Sequence, residues 1–441
     1  MTHPPNPPPT HARVASGDER RRVAVPRRST KGPLGLDIDD PLAASAHTNF
    51  PDASRVLSPT RSDASTLSPQ DGAAGAPAIS DVPSKDFSFV QDPSTYHVLP
   101  ASNVPPPFLN APNLPAVSSP IDSLLATGHY RLAAIAAARN IVQAPSAADH
   151  DTLFHLLHVR LACLCLVHEH SLAAQESKVL GDLNSFFYRH PFTNAHLVPW
   201  ALRVLAVRLA ALGYGEWRKG IMGYYELARE CREDIIRADS EEEKALWRVR
   251  LRDCGVRVAN VLVEMGELEG AGHHLHTLST PADVASSPEA KETLLMEALV
   301  WLRIGDIRAA RLCLSTASSI SSPTLLDQAL QALIQLANSE YTAAASSFQA
   351  LHQEYPDDAM IAQNLAVALL YTGRIAEARD LLTEITDTSP PFHSLMFNLS
   401  TIYELCTERN RERKVALAEK MAARKGDGVV GWEILNADFK L

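Results

Sequence analysis

The sequence predicts an all-α protein whose folded part is a solenoid of stacked helical hairpins. Apolar residues recur at helical spacing from residue 121 onward, and a 34-residue period runs through the last third of the chain. No stretch alternates apolar and polar residues over enough length to predict a half-buried strand. One hairpin cannot bury its own apolar face, so three or more must stack, and the stack offers an extended groove to another protein chain.

Five rows of equivalent residues define the period. The turn row holds Gly305, Ser339 and Gly373, at steps of 34 residues. The rows that seal the two helices of each hairpin are Ile307, Tyr341 and Ile375; Ala310, Ala344 and Ala378; Leu314, Phe348 and Leu382; and Ala317, Leu351 and Ile385. Alanine lets the helix backbones approach, and Pro356 and Pro390 end the second helices. This is the pattern of the tetratricopeptide repeat.

The same pattern predicts the domain organisation. Most of the 30 prolines lie before residue 121, with serine and alanine between them, so residues 1–119 are predicted to be a disordered Pro/Ser/Ala-rich tail. Residues 120–441 are predicted to form the solenoid. Its clearest parts are repeats at residues 291–324, 325–358 and 359–392 and a capping hairpin at residues 393–425. Earlier, less regularly spaced hairpins turn at Gly128, Gly215 and Gly266.

Composition argues against several classes of protein. The net charge is −10 and the acids and bases are mixed along the chain, which gives no case for nucleic acid as a partner. The six cysteines show no paired C-x-x-C spacing, as expected for reduced thiols in a cytosolic protein. The chain opens with prolines instead of a secretory signal, and its apolar runs are too short to span a bilayer. Membrane contact is therefore expected to be peripheral at most.

No metal, cofactor or catalytic site is predicted. The one suggestive cluster is a set of histidines around two cysteines, namely His155, His158, Cys163, Cys165, His168 and His170. In a helix the i, i+2 pairs point apart, so this cluster is not expected to share one tetrahedral ion. Phosphate-binding loops, nucleophile elbows and zinc-protease motifs are missing, so we expect no enzyme. The five tryptophans are spread one to a segment and are expected to pack between helices.

The first helices of the repeats carry the candidate partner-binding groove. Its predicted apolar residues are Leu333, Leu336, Met360, Val367, Leu370 and Tyr371. A surface of this kind fits a stable protein interface better than a clamp for the acidic C-terminus of a chaperone, which would need basic residues and asparagine. Packing against a neighbouring helix is the alternative explanation for the same residues.

Two further sites are candidates for contact or regulation. A basic face on the last hairpin comprises Arg409, Arg411, Arg413 and Lys414, which either contact an acidic partner or lipid surface or form an ordinary soluble face. In the tail, the Ser-Pro dipeptides at Ser58, Ser68 and Ser119 offer sites to a proline-directed kinase, although such dipeptides are common by chance in tails of this composition.

Four segments, in order across residues 120–427, resemble the subunit 12 family of the transport protein particle (TRAPP) complex. They are residues 197–200 with Arg203, residues 246–248 with Arg250, residues 364–370 with Gly373, and residues 397–405 followed by the basic helix. The last segment is the most specific, because an ordinary repeat does not require Asn398 and Tyr403 at their positions. The Pro-rich tail shows no match to the family.

The resemblance implies a non-catalytic scaffold subunit of a multisubunit vesicle tether. With the other TRAPP subunits as its partners, such a subunit contributes to activation of a Rab-type small GTPase, to ER-to-Golgi transport and to autophagy. It implies a cytoplasmic protein, peripherally associated with Golgi and early secretory membranes. A freestanding tetratricopeptide adaptor or co-chaperone is the alternative.

Overall fold

The computed structural model describes residues 85–145, 149–280 and 287–441, and within these ranges the fold is all-α, as predicted. The helices are α1 (Pro106–Leu109), α2 (Ile121–Ala126), α3 (Tyr130–Gln143), α4 (His150–Leu166), α5 (His170–Ser177), α6 (Trp200–Tyr214), α7 (Trp217–Arg237), α8 (Glu241–Met265), α9 (Leu268–Ser279), α10 (Pro288–Ile304), α11 (Ile307–Ile320), α12 (Leu325–Ala337), α13 (Tyr341–Glu354), α14 (Ala359–Tyr371), α15 (Ile375–Thr388), α16 (His393–Cys406), α17 (Asn410–Ala422) and α18 (Asn436–Phe439). None of these helices combines the length and the apolar character that a bilayer crossing requires.

Helices α2 to α17 form eight successive hairpins, and the turns inside the first seven each contain a residue with positive φ. The turn residues with positive φ are Gly128 (70°), His168 (62°), Gly215 (66°), Gly266 (84°), Gly305 (94°), Ser339 (64°) and Gly373 (81°). At Gly305 the backbone N–H donates to the carbonyl of Leu302 (3.1 Å), and the N–H of Asp306 donates to that of Trp301 (3.0 Å). These two bonds are the Schellman closure of a helix end, which requires a left-handed residue.

The turn at His168 belongs to a hairpin, α4 with α5, that the sequence pattern did not reveal. Glycine usually marks a left-handed turn position in a sequence, because it has no Cβ atom to clash with the backbone there. Here a histidine adopts φ of 62°, and the next residue, Glu169, donates its backbone N–H to the carbonyl of Leu164 (2.9 Å), as Asp306 does to that of Trp301. The repeat array therefore continues without interruption from α2/α3 to α6/α7.

The predicted register of the clearest repeats is confirmed. Ala310, Ala344 and Ala378 have no exposed surface, and the apolar positions that follow them in each second helix are buried. The second helices α13 and α15 end at Glu354 and Thr388, each two residues before its proline. Alanine at the central row leaves no space for a larger side chain between the packed helices.

The register makes a stability prediction at Ala344. Ala344→Trp is expected to lower the free energy of unfolding by about 1–3 kcal/mol, because the indole would overpack a helix pair whose alanine is fully buried. Ala343→Trp is the matched control, since Ala343 lies one residue earlier on α13 and is exposed. Chemical denaturation followed by circular dichroism measures both changes. Equal losses at the two positions would contradict the register.

Residues 85–119 differ from the prediction, because the structure packs them against the helical array. Phe87 and Val90 are buried beside α4, where the Phe87 ring meets that of Phe154 edge-on at 5.0 Å between centroids. Phe108 in α1 is also buried and packs edge-on against Trp432 at 5.1 Å. A few large apolar side chains thus anchor a segment whose average composition resembles that of a disordered tail. The helical unit therefore begins well before residue 120.

The last residues of the chain contact the first hairpin. The backbone N–H of Trp432 donates to the carbonyl of Gly128 at 2.9 Å, and the Arg131 guanidinium pairs with the Glu433 carboxylate at 2.7 Å. The predicted capping hairpin corresponds to α16 and α17, but it does not end the array. Residues 423–441 follow it and connect the last hairpin to α2 and α3.

Candidate partner-binding surface

An apolar stripe lies along the first helices of the last four hairpins. In α14, positions 360, 363, 367 and 371 share one face, because residues three or four apart are neighbours on a helix. Large side chains exposed at these and the equivalent positions are Leu299 on α10, Leu326 on α12, Met360 and Tyr371 on α14, and Phe397 and Leu405 on α16. We call these six residues the first-helix stripe.

The residues predicted for the groove divide into two groups. Met360 and Tyr371 belong to the stripe and expose 41 % and 59 % of their surface. Leu333, Leu336 and Leu370 are half-buried against the core, and Leu333 contacts two separate core clusters. A substitution at these three leucines would therefore disturb packing between repeats as well as any partner contact. Val367 is also half-buried.

Tyr371 is held in position by a second tyrosine. Its ring stacks on that of Tyr341, with 5.0 Å between centroids and 11° between planes. Tyr341 is the first residue of α13 and belongs to the predicted row of helix-sealing residues. Because the stack restricts Tyr371 before any partner arrives, the exposed ring has less side-chain entropy to lose on binding.

The C-terminus covers part of the stripe at its last hairpin. The Lys440 ammonium lies 5.2 Å from the centroid of the Phe397 ring and also pairs with Glu404. Helix α18 packs against α16 at the same place. Phe397 still exposes 41 % of its surface, and Leu405 on the same helix exposes 61 %, so the stripe stays accessible on α16 as well as on α12 and α14.

The predicted basic face is smaller in the structure than in the sequence. Lys414 is buried, and its ammonium binds the Glu404 carboxylate at 2.6 Å and donates to the backbone carbonyl of Lys440 at 3.1 Å. Its inclusion in a contact surface was wrong, because its charge is already neutralised within the fold. Arg409, Arg411 and Arg413 are exposed, and no ion pair joins them to any described residue.

The three candidate phosphorylation sites remain predictions. Ser58 and Ser68 lie outside the described residues. Ser119 is half-buried immediately before α2, and its backbone N–H donates to the carbonyl of Ala116 at 2.9 Å.

The ligand atoms of the histidine and cysteine cluster do not converge on one point in the part of the chain that the structure describes. Cys163 is buried, and burial raises the pKa of its thiol to about 12 and that of the Cys165 thiol to about 11. Burial thus favours the neutral thiol form of both side chains. A different group of metal-ligand types, which the sequence did not single out, is Asp149, His150 and Asp151 at the start of α4. These are surface side chains at a helix N-terminus, where aspartate is favourable without an ion.

Comparison with known proteins finds one matching family model and structures of low similarity. A family model described as tetratricopeptide repeat matches residues 335–399. A tetratricopeptide repeat protein from Parabacteroides merdae has a TM-score of 0.38 at 16 % identity, covering 61 % of this chain and 91 % of that one. Yeast Tom70 has a TM-score of 0.33 at 10 % identity, covering 69 % and 79 %. The repeat rows, the turns and the family match together define a tetratricopeptide-repeat α-solenoid.

Two proteins of the same name resemble more than half of this chain. Trafficking protein particle complex subunit 12 of Homo sapiens is 25 % identical over 305 residues, which cover 62 % of this chain and 41 % of the human protein. The Mus musculus protein of the same name is 23 % identical over 316 residues, covering 64 % and 39 %. The resemblance that the four sequence segments indicate is thus confirmed. The matched region spans about two fifths of the length of these relatives.

Proposed function

We propose that this chain is a non-catalytic scaffold subunit of a TRAPP-type vesicle-tethering complex. Its similarity to subunit 12 of that complex, over 62–64 % of this chain, carries the proposal. In this role it binds other subunits and contributes, through them, to activation of a Rab-type small GTPase. ER-to-Golgi transport and autophagy are the processes it serves, from a cytoplasmic position at the surface of Golgi and early secretory membranes.

The first-helix stripe is the surface we assign to a neighbouring subunit. Its residues are large, apolar and exposed on successive first helices, which is the composition of the buried centre of a stable interface. A clamp for an acidic chaperone C-terminus would instead present lysine, arginine or asparagine at these positions. On α14, positions 360, 363, 367 and 371 of this face hold methionine, glutamine, valine and tyrosine. These residue types favour a subunit interface over the co-chaperone alternative.

Affinity purification of two variants tests the proposal. Met360→Asp combined with Tyr371→Asp is expected to reduce recovery of the other subunits by about tenfold or more, because both changes place a charge in the buried centre of an interface. Leu312→Asp with Ile236→Asp is the matched control, since it also replaces two exposed apolar residues, but on second helices. All four positions are exposed, so each variant is expected to keep its helical content.

The outcome is read by mass spectrometry and native sizing of the purified material. Loss of a multisubunit particle in the stripe variant, with its retention in the control, supports the scaffold role and its surface. Recovery of the wild-type chain mainly with a chaperone, or as a free monomer, would favour the adaptor instead. Truncation after residue 390 is a poorer test, because Trp432 and Phe439 belong to the core of the repeat array.

A further inference from the structure

A cleft lies among α6, α7, α8 and the loop that precedes α6. It is distant in sequence from the first-helix stripe. It has a volume of about 690 Å³. Its chemistry comes from six of its lining residues, namely Arg189, Trp200, Arg203, Glu230, Trp247 and Arg250. Two of the four segments that resemble the TRAPP subunit contribute to it, since one supplies Trp200 with Arg203 and the other Trp247 with Arg250.

The two tryptophans form a wall of the cleft and do not merely fill space between helices. Their rings meet edge-on, 5.8 Å apart and at 87° between planes, although Trp200 begins α6 and Trp247 lies in α8. Both indoles are only half-buried. The Arg250 guanidinium lies 4.4 Å from the Trp247 ring centroid and 5.2 Å from that of Trp200. Stacking of this kind fixes a guanidinium while leaving its edge free to donate hydrogen bonds.

The cleft contains more guanidinium groups than its acids neutralise. Glu230 binds Arg203 through both carboxylate oxygens, and one of those oxygens also lies 3.5 Å from Arg189. Burial opposes ionisation of Glu230, but the hydrogen bond and charge of Arg203 prevail and lower its pKa. Arg250 has no carboxylate within ion-pair distance among the described residues. The Nε–H of Arg203, a residue only 4 % exposed, has no acceptor among the described residues.

The other titratable groups at the cleft do not supply the missing acceptor. His196 is neutral near pH 7, because burial and the charge of Arg203 lower its pKa to about 4. Its Nε2 faces the carbonyl of Leu183 at 2.9 Å. Asp234 pairs with Arg237 on its own helix, and Glu243 lies at the exposed start of α8. Burial lowers the pKa of Arg250, so an arriving anion would relieve the cost of burying its charge.

We propose that this cleft binds an aspartate or glutamate side chain from an acidic peptide segment of a protein partner. The carboxylate accepts hydrogen bonds from the guanidinium of Arg250, beside the Arg203–Glu230 pair. An apolar side chain beside it in the peptide packs against the indoles of Trp200 and Trp247.

A single carboxylate matches the cleft better than a phosphate or a nucleic acid. The stacked guanidinium of Arg250 has no carboxylate partner among the described residues, and one carboxylate can satisfy it. Asp234 and Glu243 at the same cleft, and the net charge of −10 on the chain, disfavour a ligand with several negative charges. The aromatic wall adds apolar area of the kind that peptide-binding surfaces use.

Immobilised pools of short peptides test the proposal with the purified full chain. Each pool is randomised around one fixed central residue, which is glutamate, glutamine or phosphoserine, and these peptides carry amidated C-termini. A fourth pool has a central glutamine and a free C-terminal carboxylate. We expect the glutamate pool to retain the chain more strongly than the other three. Affinity is then measured by fluorescence anisotropy for the peptide that is retained best.

Two variants of α8 separate the cleft from general charge. Arg250→Gln is expected to weaken binding of the best peptide by about tenfold, which corresponds to the loss of one hydrogen bond to a charged group. Arg248→Gln removes the same charge two residues away, at a side chain that is 57 % exposed and pairs with Glu241, and is expected to leave affinity unchanged. Circular dichroism checks that both variants fold.

Equal retention by the glutamate and glutamine pools, or equal affinities of the two variants, would overturn the proposal. Retention confined to the phosphoserine pool would assign the cleft to a phosphopeptide, and retention confined to the free-carboxylate pool would assign it to a chain terminus. Either result would displace the acidic side chain proposed here. The assay uses the isolated chain, so its failure leaves the scaffold proposal and the stripe variants untouched.

Discussion

Glu176→Gln is expected to lower the free energy of unfolding by about 3–5 kcal/mol, because it leaves a buried arginine without its counter-charge. Arg160 on α4 and Glu176 on α5 expose 1 % and 0 % of their side chains. They form a bidentate pair with N–O distances of 2.6 and 2.9 Å. Arg160 also donates to the backbone carbonyls of Ala134 and His97, so the glutamine variant would keep the guanidinium in place but not neutralise it.

The control is a second bidentate Arg–Glu pair that is accessible to water. Arg208 and Glu264 expose 24 % and 30 % of their side chains, and Glu264→Gln is expected to lower the free energy of unfolding by less than about 1 kcal/mol. Adding Arg160→Met to Glu176→Gln is expected to recover part of the larger loss, since no uncompensated charge remains. Chemical denaturation followed by circular dichroism measures all three variants. Similar losses of unfolding free energy for Glu176→Gln and Glu264→Gln would show that water reaches the Arg160–Glu176 pair.

The same ion pair attaches the segment that precedes α1. The backbone N–H of His97 donates to Glu176 at 2.9 Å, and its carbonyl accepts from Arg160 at 2.8 Å. Glu176→Gln is therefore also expected to increase proteolytic cleavage near His97 under native conditions. Unchanged cleavage would indicate that Phe87 and Phe108 alone hold this segment.

Most of the repeat architecture could be predicted from the sequence, because each hairpin repeats the same local packing problem. Alanine recurs where helix backbones approach, and a large apolar residue recurs one turn later, so the pattern is visible without knowledge of distant contacts. The hairpin at His168 was missed for a physical reason. The backbone there requires a left-handed residue, and a histidine supplies it without the glycine that usually marks such a turn.

Contacts between distant parts of the chain left no periodic signal. Residues 85–119 are rich in proline, so their average composition resembles a tail, whereas their burial depends on a few side chains such as Phe87 and Phe108. The partner of Phe108 is Trp432, more than 300 positions later. Pattern and composition describe neighbours along the chain, and so they could not identify this pair.

The candidate surface was predictable in its residue types but not in its exposure. Leu333 and Met360 both satisfy the helical spacing of the first-helix face, yet a neighbouring repeat covers the first and leaves the second open. Lys414 fits a basic surface patch in sequence, but Glu404 on the facing helix neutralises it. The contact between Trp200 and Trp247 depends on how α6 and α8 pack. The position of each tryptophan in the sequence does not predict that packing.

Gly128→Ala is expected to cost about 2–5 kcal/mol and to loosen the contact between the two ends of the helical array. Gly128 has a φ of 70°, so alanine would be strained by about 1–2 kcal/mol at this turn. A Cβ atom there would also lie 2.6 Å from the carbonyl oxygen of Asp427 and 2.7 Å from that of Val430. These are backbone atoms, which cannot move aside by changing rotamer, and overpacking of this kind adds about 1–3 kcal/mol.

Gly373→Ala isolates the backbone strain from the contact between the ends. Gly373 has a φ of 81° at the equivalent turn of α14/α15, but no atom lies within 4 Å of where its Cβ would be. This variant is expected to lose about 1–2 kcal/mol and to keep amide protection in residues 426–434. Hydrogen exchange read by mass spectrometry should show faster exchange of that segment in Gly128→Ala alone, because the Trp432 N–H would lose its bond to residue 128. If the two variants are equally stable and protect this segment equally, the first and last hairpins do not meet in solution as they do here.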